Sequence, residues 1–154
     1  MAIYNKLIMA AICATLSAPA FGFEARLDTV ASDGLRSRLI AASAILEAER
    51  DGITEPSDIV AAVQSDYRSL LGTLYRSGYY APVIRISVDG REGSTLSLIT
   101  LPNSVKNIVI SIDKGAKFTF GNANVAPLAP QTNLPIGFAT GQIAESGEIG
   151  AAKD

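Results

Sequence analysis

The sequence of 154 residues contains no histidine, no tryptophan and a single cysteine, Cys13. Without histidine, the chain lacks the side chain that most often acts as a general base and as a zinc ligand. One thiol forms neither an intrachain disulfide nor a paired-cysteine motif. These absences predict a protein that is not an enzyme, with no catalytic, cofactor-binding or metal-binding residues.

The charge composition gives no strong field of either sign. Thirteen Lys and Arg stand against fifteen Asp and Glu, for a net charge of −2 at pH 7, and the basic residues form no run. Nucleic acid is therefore not expected as a partner. A hydrophobic fraction of 48% with 18% charged residues is typical of a folded domain and excludes disorder over the whole chain.

Acidic residues and serines occur where helices are expected to begin and end. Glu47 and Glu49 fall at the end of the first predicted helix, and Asp58 falls at the start of the second, where acids are normally solvated. Ser32 and Ser57 lie at helix starts, where serine is a preferred cap. Without a histidine to activate a hydroxyl, these serines are expected to act as caps rather than as nucleophiles.

Residues 1–22 have the pattern of an export signal. Lys6 is their only charge, an apolar run follows from Leu7 to Leu16, and small residues around Ala20 fit a cleavage site after Ala20 or after Gly22. The apolar run is shorter than the roughly 20 residues that span a bilayer as a helix. Cleavage would also remove Cys13, which suits an oxidising compartment. We therefore expect an exported protein.

The hydrophobic period changes along the rest of the chain from strand to helix and back. Alternation over 23–28 predicts a strand, and helical spacing predicts one helix from Ser32 or Asp33 to about Asp51 and another from about Ser57 to Gly78. Alternation returns in Ile84–Val88 and Ile108–Ile112, with a turn at Asp89-Gly90. The expected shared core is Leu39, Leu46, Val63, Leu70, Leu74, Ile86, Ile108 and Ile110.

This order predicts an α+β domain over residues 23–116 with the arrangement β-α-α-β-β. Each strand is polar on one side, so two antiparallel helices should cover one face of a three-stranded sheet. Residues 117–154 begin with another strand-like stretch, continue through Pro127, Pro130 and Pro135, and end in a short helical segment near Ser146. We interpret this part as the start of a second, truncated unit of the same kind.

Three segments resemble known sequences. The run from Leu74 to Arg91 resembles the second helix and following strand of a POTRA domain. The run Asp113–Asn122 resembles the junction between successive POTRA units, and Pro135–Ala152 resembles the opening of the next unit. In order and spacing they resemble the periplasmic part of TamA-like outer-membrane protein assembly factors, the translocation and assembly module. Members of that family continue into a membrane β-barrel, so the chain resembles a fragment truncated before it.

The resemblance implies a function and a set of partners. Such a module takes part in outer-membrane protein assembly and insertion, in association with the outer membrane. It would bind unfolded outer-membrane or autotransporter-type clients and a periplasmic or inner-membrane assembly partner. Binding would use strand-edge pairing, also called β-augmentation. An open alternative is a stand-alone periplasmic adaptor or lipid-surface module with no barrel partner.

The resemblance also indicates where binding would occur. The strand after the second helix is the candidate edge, and two tyrosines before it form a candidate aromatic patch. Arg85 either guides an acidic segment or protects the edge, and the tyrosines either bind peptide or complete the core. The candidate residues are Val83, Ile84, Arg85, Ile86, Ser87, Val88, Tyr79 and Tyr80.

Overall fold

The structure, a computed structural model, describes residues 22–122 and 136–147. The predicted signal segment apart from Gly22, and the predicted second unit at 123–135 and 148–154, lie outside the described residues. Phe23, which both predicted cleavage sites leave in the mature chain, is 5% exposed and belongs to the hydrophobic core. The core therefore includes the first residue after the predicted signal segment.

Three helices and a four-stranded mixed sheet in residues 22–122 and 136–147 confirm the α+β class. The elements are β1 (Glu24–Thr29), α1 (Asp33–Ala42), α2 (Ala44–Arg50), α3 (Pro56–Arg76), β2 (Val83–Val88), β3 (Arg91–Glu92) and β4 (Asn107–Asp113), with 3₁₀ turns at Gly93–Thr95 and Ile136–Phe138. The strand order is β1-β4-β2-β3. β1 is parallel to β4, whereas β2 is antiparallel to both β4 and β3.

The first predicted helix is divided into two, which corrects the expectation of a helix pair. Ser43 adopts an extended conformation between α1 and α2, and its side chain accepts a hydrogen bond from the Leu46 N–H at 3.2 Å. The break is stabilised by Asp66 of α3, which accepts hydrogen bonds from the Ala44 N–H at 2.6 Å and the Ile45 N–H at 3.4 Å. A carboxylate 22 residues away in sequence therefore satisfies the donors that an uninterrupted helix would use internally.

The core matches the predicted set with one exception. Seven of the eight predicted residues are buried, but Leu46 is only half-buried, and its neighbour Ile45 is fully buried instead. The break at Ser43 restarts the helical phase, so a stripe extrapolated from α1 gives the wrong inward residue in α2. The inward residues of β4, Ile108, Ile110 and Ile112, lie under the helices, while Asn107, Ser111 and Asp113 on the opposite face are exposed.

The described sheet has a fourth strand, which corrects the expected three-stranded sheet. After the tight turn at Asp89 and Gly90, both at positive φ, residues Arg91 and Glu92 pair back onto β2. The Asp89 carboxylate also accepts hydrogen bonds from the Lys106 and Asn107 N–H groups, the latter at 2.9 Å. One short hairpin therefore both extends the sheet and holds the start of β4.

Residues after the sheet return to the end of α3. The Phe118 N–H donates to the Gly78 carbonyl at 2.8 Å, and the Ala144 N–H donates to the Phe118 carbonyl at 3.0 Å. An isolated antiparallel bridge joins Thr119 to Ile143. Within the described residues, this part of the predicted second unit packs against the first unit.

Candidate protein-binding edges

The predicted binding strand, β2, uses alternate residues to pair with β4. Past the end of β2, the Asp89 N–H donates to the Asn107 carbonyl, which identifies this pair as hydrogen-bonded. Because hydrogen-bonded and non-hydrogen-bonded pairs alternate in an antiparallel ladder, Arg85 and Ser87 also bond to β4. The backbone groups of Ile84, Ile86 and Val88 therefore point to the other side, toward the outer edge.

The carboxyl-terminal half of that outer edge is covered by the chain itself. Val88 pairs with Arg91 of β3, and the 3₁₀ turn that begins at Gly93 packs against Ile86. A Cβ at Gly93 would lie 2.7 Å from the Val63 Cγ1 atom and 3.0 Å from the Ile86 carbonyl oxygen. Only glycine allows the turn to approach β2 and α3 this closely.

Tyr67 of α3 adds to this cover. Its hydroxyl donates to the Glu92 carboxylate, and the backbone of Ile86 and Ser94 also hydrogen-bonds to it. Partial burial, the hydrogen bond to Glu92 and the Glu92 charge raise the pKa of Tyr67 to about 12, although the backbone hydrogen bonds act in the opposite direction. The phenol stays protonated at neutral pH and holds β3 against the helix.

The amino-terminal half of the β2 edge has no such cover among the described residues. Ile84 is the residue there whose backbone groups point outward, and it lies between Val83, which is 45% exposed, and Arg85, which is also exposed. The structure thus separates the predicted strand into an open part, Val83–Arg85, and a covered part, Ile86–Val88. Sequence periodicity contains no signal for this division, because the cover comes from distant residues.

Tyr79 and Tyr80 do not form one continuous open patch. The Lys114 and Lys117 ammonium groups lie 5.3 and 5.7 Å from the centre of the Tyr79 ring, within cation–π range. The Tyr80 ring packs against Tyr75 at 5.2 Å and edge-on against Phe118 at 5.9 Å between ring centres. Residues 114–118 therefore contact both tyrosines.

The Tyr80 hydroxyl is the polar part of this cluster. It is buried, and no other described residue forms a hydrogen bond with it. Burial, followed by the negative charge of Glu145, raises the pKa of Tyr80. A buried hydroxyl without a hydrogen-bond partner costs free energy. The contacts of the Tyr80 ring with Tyr75 and Phe118 offset this cost.

β1 forms the other outer edge of the sheet, which was not predicted from the sequence. The Ala25 N–H donates to the Glu49 carboxylate at 2.8 Å, and the Arg36 guanidinium donates to the Leu27 carbonyl at 3.2 Å. Clefts of about 560 and 530 Å³ flank this edge, and Arg36 lines both. Only the strand order identifies β1 as an edge strand, so no local pattern could have identified it.

Two further features were sought in the described parts of the chain, a metal-binding cluster and a membrane-spanning helix. Over residues 22–122 and 136–147, no three acidic side chains come close enough together to hold a metal ion. No helix described there has the length and apolar character needed to cross a membrane. Comparison of the sequence with family models, with curated proteins and with solved structures gives no match.

Proposed function

We propose that the protein is an exported, non-catalytic, POTRA-like module of an outer-membrane protein assembly factor. It binds extended segments of unfolded clients by pairing them with the open part of β2. The observation that carries this proposal is the outward-facing backbone of Ile84, which has no hydrogen-bond partner among the described residues. An unpaired strand edge is a ready template for an added strand, and strand addition recurs in peptide recognition.

The short length of the open edge suits transient binding. Each residue that faces an edge offers one N–H donor and one carbonyl acceptor, and Val83–Arg85 presents only the Ile84 pair. A net hydrogen bond contributes about 0.5–1.5 kcal/mol, so this edge gives weak binding unless side chains add to it. Weak pairing lets a client leave, as an assembly factor requires.

A proline substitution at the open edge tests this proposal. Ile84→Pro removes the outward N–H without removing a bond to β4, and proline is tolerated at such edge positions. The matched control Ile84→Ala loses a similar part of the side chain but keeps the N–H. Binding of a fluorescein-labelled peptide of about ten alternating apolar and polar residues, like an outer-membrane strand, is measured by anisotropy.

We expect Ile84→Pro to bind the peptide about two- to twelvefold more weakly than Ile84→Ala, because it loses one hydrogen bond that contributes about 0.5–1.5 kcal/mol. A flexible Gly/Ser peptide of the same length serves as a negative control and should not bind. Equal peptide affinity of the two variants, or no binding by the unchanged protein, would overturn the proposal for this edge.

The compartment is tested separately by the amino terminus. Protein recovered from the periplasm of a Gram-negative host should begin at Phe21 or Phe23 when its intact mass is measured. Retention of Met1–Gly22 on protein recovered from the cytoplasm would contradict both export and a role in outer-membrane assembly.

A second candidate, the stand-alone lipid-surface module, is favoured by one observation. Leu98 and Ile99 lie at the tip of a turn closed by a Ser97–Thr100 bridge, and Ile99 is 94% exposed. Co-sedimentation with phosphatidylglycerol/phosphatidylethanolamine vesicles tests it. Binding that Leu98→Ser/Ile99→Ser abolishes would favour the lipid-surface function, whereas unchanged or absent sedimentation would count against it.

A further inference from the structure

The outward groups of β1 can be assigned from its pairing with β4. The Glu24 N–H donates to the Lys106 carbonyl at 2.9 Å, and the strands then run parallel in register. In a parallel ladder alternate residues bond to the same neighbour, so Glu24, Arg26 and Asp28 bond to β4. The backbone groups of Ala25, Leu27 and Thr29 therefore point away from the sheet, in agreement with the side-chain contacts to Ala25 and Leu27.

The side chains of β1 alternate in charge on the exposed face. Glu24, Arg26 and Asp28 lie in sequence on that face, and Arg26 contacts Asp28 within the strand at 3.3 Å. This pair is solvent-exposed on both sides, so it contributes little to the stability of the single chain. Its charge order is complementary to the same strand running in the opposite direction.

We propose that the β1 edge is an interface for a second copy of this chain. The two β1 strands pair antiparallel about a two-fold axis at Leu27, so that Leu27 opposes Leu27 and the two sheets become one of eight strands. In this register Arg26 of each copy opposes Asp28 of the other, which forms two cross-strand ion pairs. Opposite charges at directly opposed positions stabilise a sheet, and like charges destabilise it.

Neighbouring registers are less favourable. Centring the pair on Arg26 places the two Arg26 side chains opposite each other and Glu24 opposite Asp28. Centring it on Asp28 opposes the two Asp28 side chains. Centring it on Ala25 opposes Glu24 to Arg26 favourably but leaves Asp28 beyond the paired part of the strand. The charge pattern therefore excludes the Arg26 and Asp28 registers, and the Leu27 register pairs more of β1 than the Ala25 register does.

The Glu49 and Arg36 side chains, which contact the β1 edge in the single chain, must be displaced for this pairing. Glu49 must leave the Ala25 N–H, which then bonds to the Thr29 carbonyl of the second copy. The Thr29 hydroxyl is buried and has no hydrogen-bond partner among the described residues. Pairing brings it next to Ala25 of the second copy, where the displaced Glu49 carboxylate can accept from it. The clefts on either side of Arg36 leave space for its side chain.

A charge-swap series tests the pairing with the full exported chain. Dimerisation is measured by sedimentation equilibrium over a range of concentrations. In Arg26→Asp, the new acid of each copy faces Asp28 of the other copy. In Asp28→Arg, the new arginine of each copy faces Arg26 of the other copy. Each single variant should weaken dimerisation about tenfold, whereas Arg26→Asp/Asp28→Arg should restore it. Arg68→Asp, the same change of charge at an exposed position on α3, is the matched control and should dimerise like the unchanged protein.

Cysteine pairs test the register directly. In chains with Cys13→Ser, Arg26→Cys and Asp28→Cys copies are mixed under mild oxidation, since opposed residues of a non-hydrogen-bonded pair come close enough for a disulfide. The mixture should form mainly the mixed disulfide, and each variant alone should form much less dimer. A monomer at all concentrations, or single swaps without effect, would overturn the proposal and leave Arg36 and Glu49 as guards that keep the edge closed.

This interface is independent of the proposed client edge. Ile84→Pro alters β2 alone, whereas the charge swaps alter β1 alone. Loss of peptide binding with intact dimerisation would therefore count for the client proposal without bearing on β1. Loss of dimerisation in the swaps with unchanged peptide binding would count for the β1 interface alone.

Discussion

The Ser43 hydroxyl donates a 2.5 Å hydrogen bond to the Asp66 carboxylate, which is completely buried. This contact joins the junction of α1 and α2 to the middle of α3. The same carboxylate accepts from the Ala44 and Ile45 N–H groups, so one acidic side chain satisfies three donors at the start of α2. Asp66 therefore fixes where the first helical segment breaks and how α2 lies on α3.

Removal of this carboxylate should destabilise the fold strongly. Asp66→Ala leaves three buried or half-buried donors without an acceptor, and each unsatisfied buried group costs about 1–3 kcal/mol. We expect the free energy of unfolding to fall by about 3 kcal/mol or more, measured by urea denaturation. The matched control is Asp58→Asn, an exposed acid in the first turn of the same helix, which should cost less than about 1 kcal/mol. Equal losses in both variants would contradict the role assigned to Asp66.

The stability contributed by Asp66 should depend on pH. Burial raises the pKa of its carboxyl above the usual 3.8, against the lowering effects of the hydrogen bonds from Ser43, Ala44 and Ile45. A raised folded-state pKa means that the folded protein holds the proton more tightly than the unfolded chain does. This contribution is fully present below pH 3.8 and is lost as the pH rises through the folded-state pKa.

Urea denaturation between pH 3 and pH 8 checks this sign, with Asp66→Asn as the reference that cannot titrate. The unfolding free energy of the unchanged protein, relative to that variant, should fall as the pH rises. A relative stability that increases with pH would show that the three hydrogen bonds outweigh burial.

The close approach at Gly93 predicts a packing defect on substitution. Gly93→Ala places a methyl group in contact with Val63 and with the Ile86 carbonyl, at 2.7 and 3.0 Å. Overpacking of this kind typically costs about 1–3 kcal/mol. Gly34→Ala, in α1 with open space around the new methyl group, is the control and should be neutral or slightly stabilising. Thermal unfolding followed by circular dichroism compares the two, and an unchanged midpoint for Gly93→Ala would be inconsistent with the packing described.

The Tyr67–Glu92 contact predicts that the Tyr67 phenol titrates at a higher pH than an ordinary tyrosine, late in an alkaline titration. Tyr67, with a pKa of about 12, contributes stability that is present below pH 10.0 and is lost as the pH rises through about 12. Tyr67→Phe should remove one phenol from the late part of the alkaline absorbance titration. Glu92→Gln should shift that phenol to lower pH, because it removes the nearby charge. Tyr80, whose pKa is also raised, should still titrate late in Tyr67→Phe. An unchanged number of late-titrating phenols in that variant would contradict the assignment to Tyr67.

Exposure should decide the cost of two isoleucine truncations. Ile110→Ala removes a fully buried side chain from the central strand β4 and should cost about 2–5 kcal/mol. Ile99→Ala truncates a side chain that is 94% exposed and should change stability by less than about 0.5 kcal/mol. Urea denaturation measures both, and a similar cost for the two would show that Ile99 is buried in an assembly.

The sequence predicted most elements because their signals are local. Helical spacing of apolar residues such as Val63 and Leu70 predicted α3, and the Asp89-Gly90 pair predicted the turn after β2. The break at Ser43 could not be read in the same way, because it depends on Asp66, which follows 23 residues later. An isolated acid on a helix looks like a solvated residue until the neighbouring helix is placed beside it.

The open and covered edges of the sheet also depend on residues that are distant in the sequence. By itself, the sequence determined the three longer strands and which of their faces is apolar, because side-chain alternation is a property of a single strand. Only the tertiary structure decided that β4 lies between β1 and β2, that β3 and Tyr67 cover half of β2, and that Glu49 and Arg36 occupy the edge of β1. An open edge is defined by the absence of a neighbour, and neighbours come from distant parts of the chain.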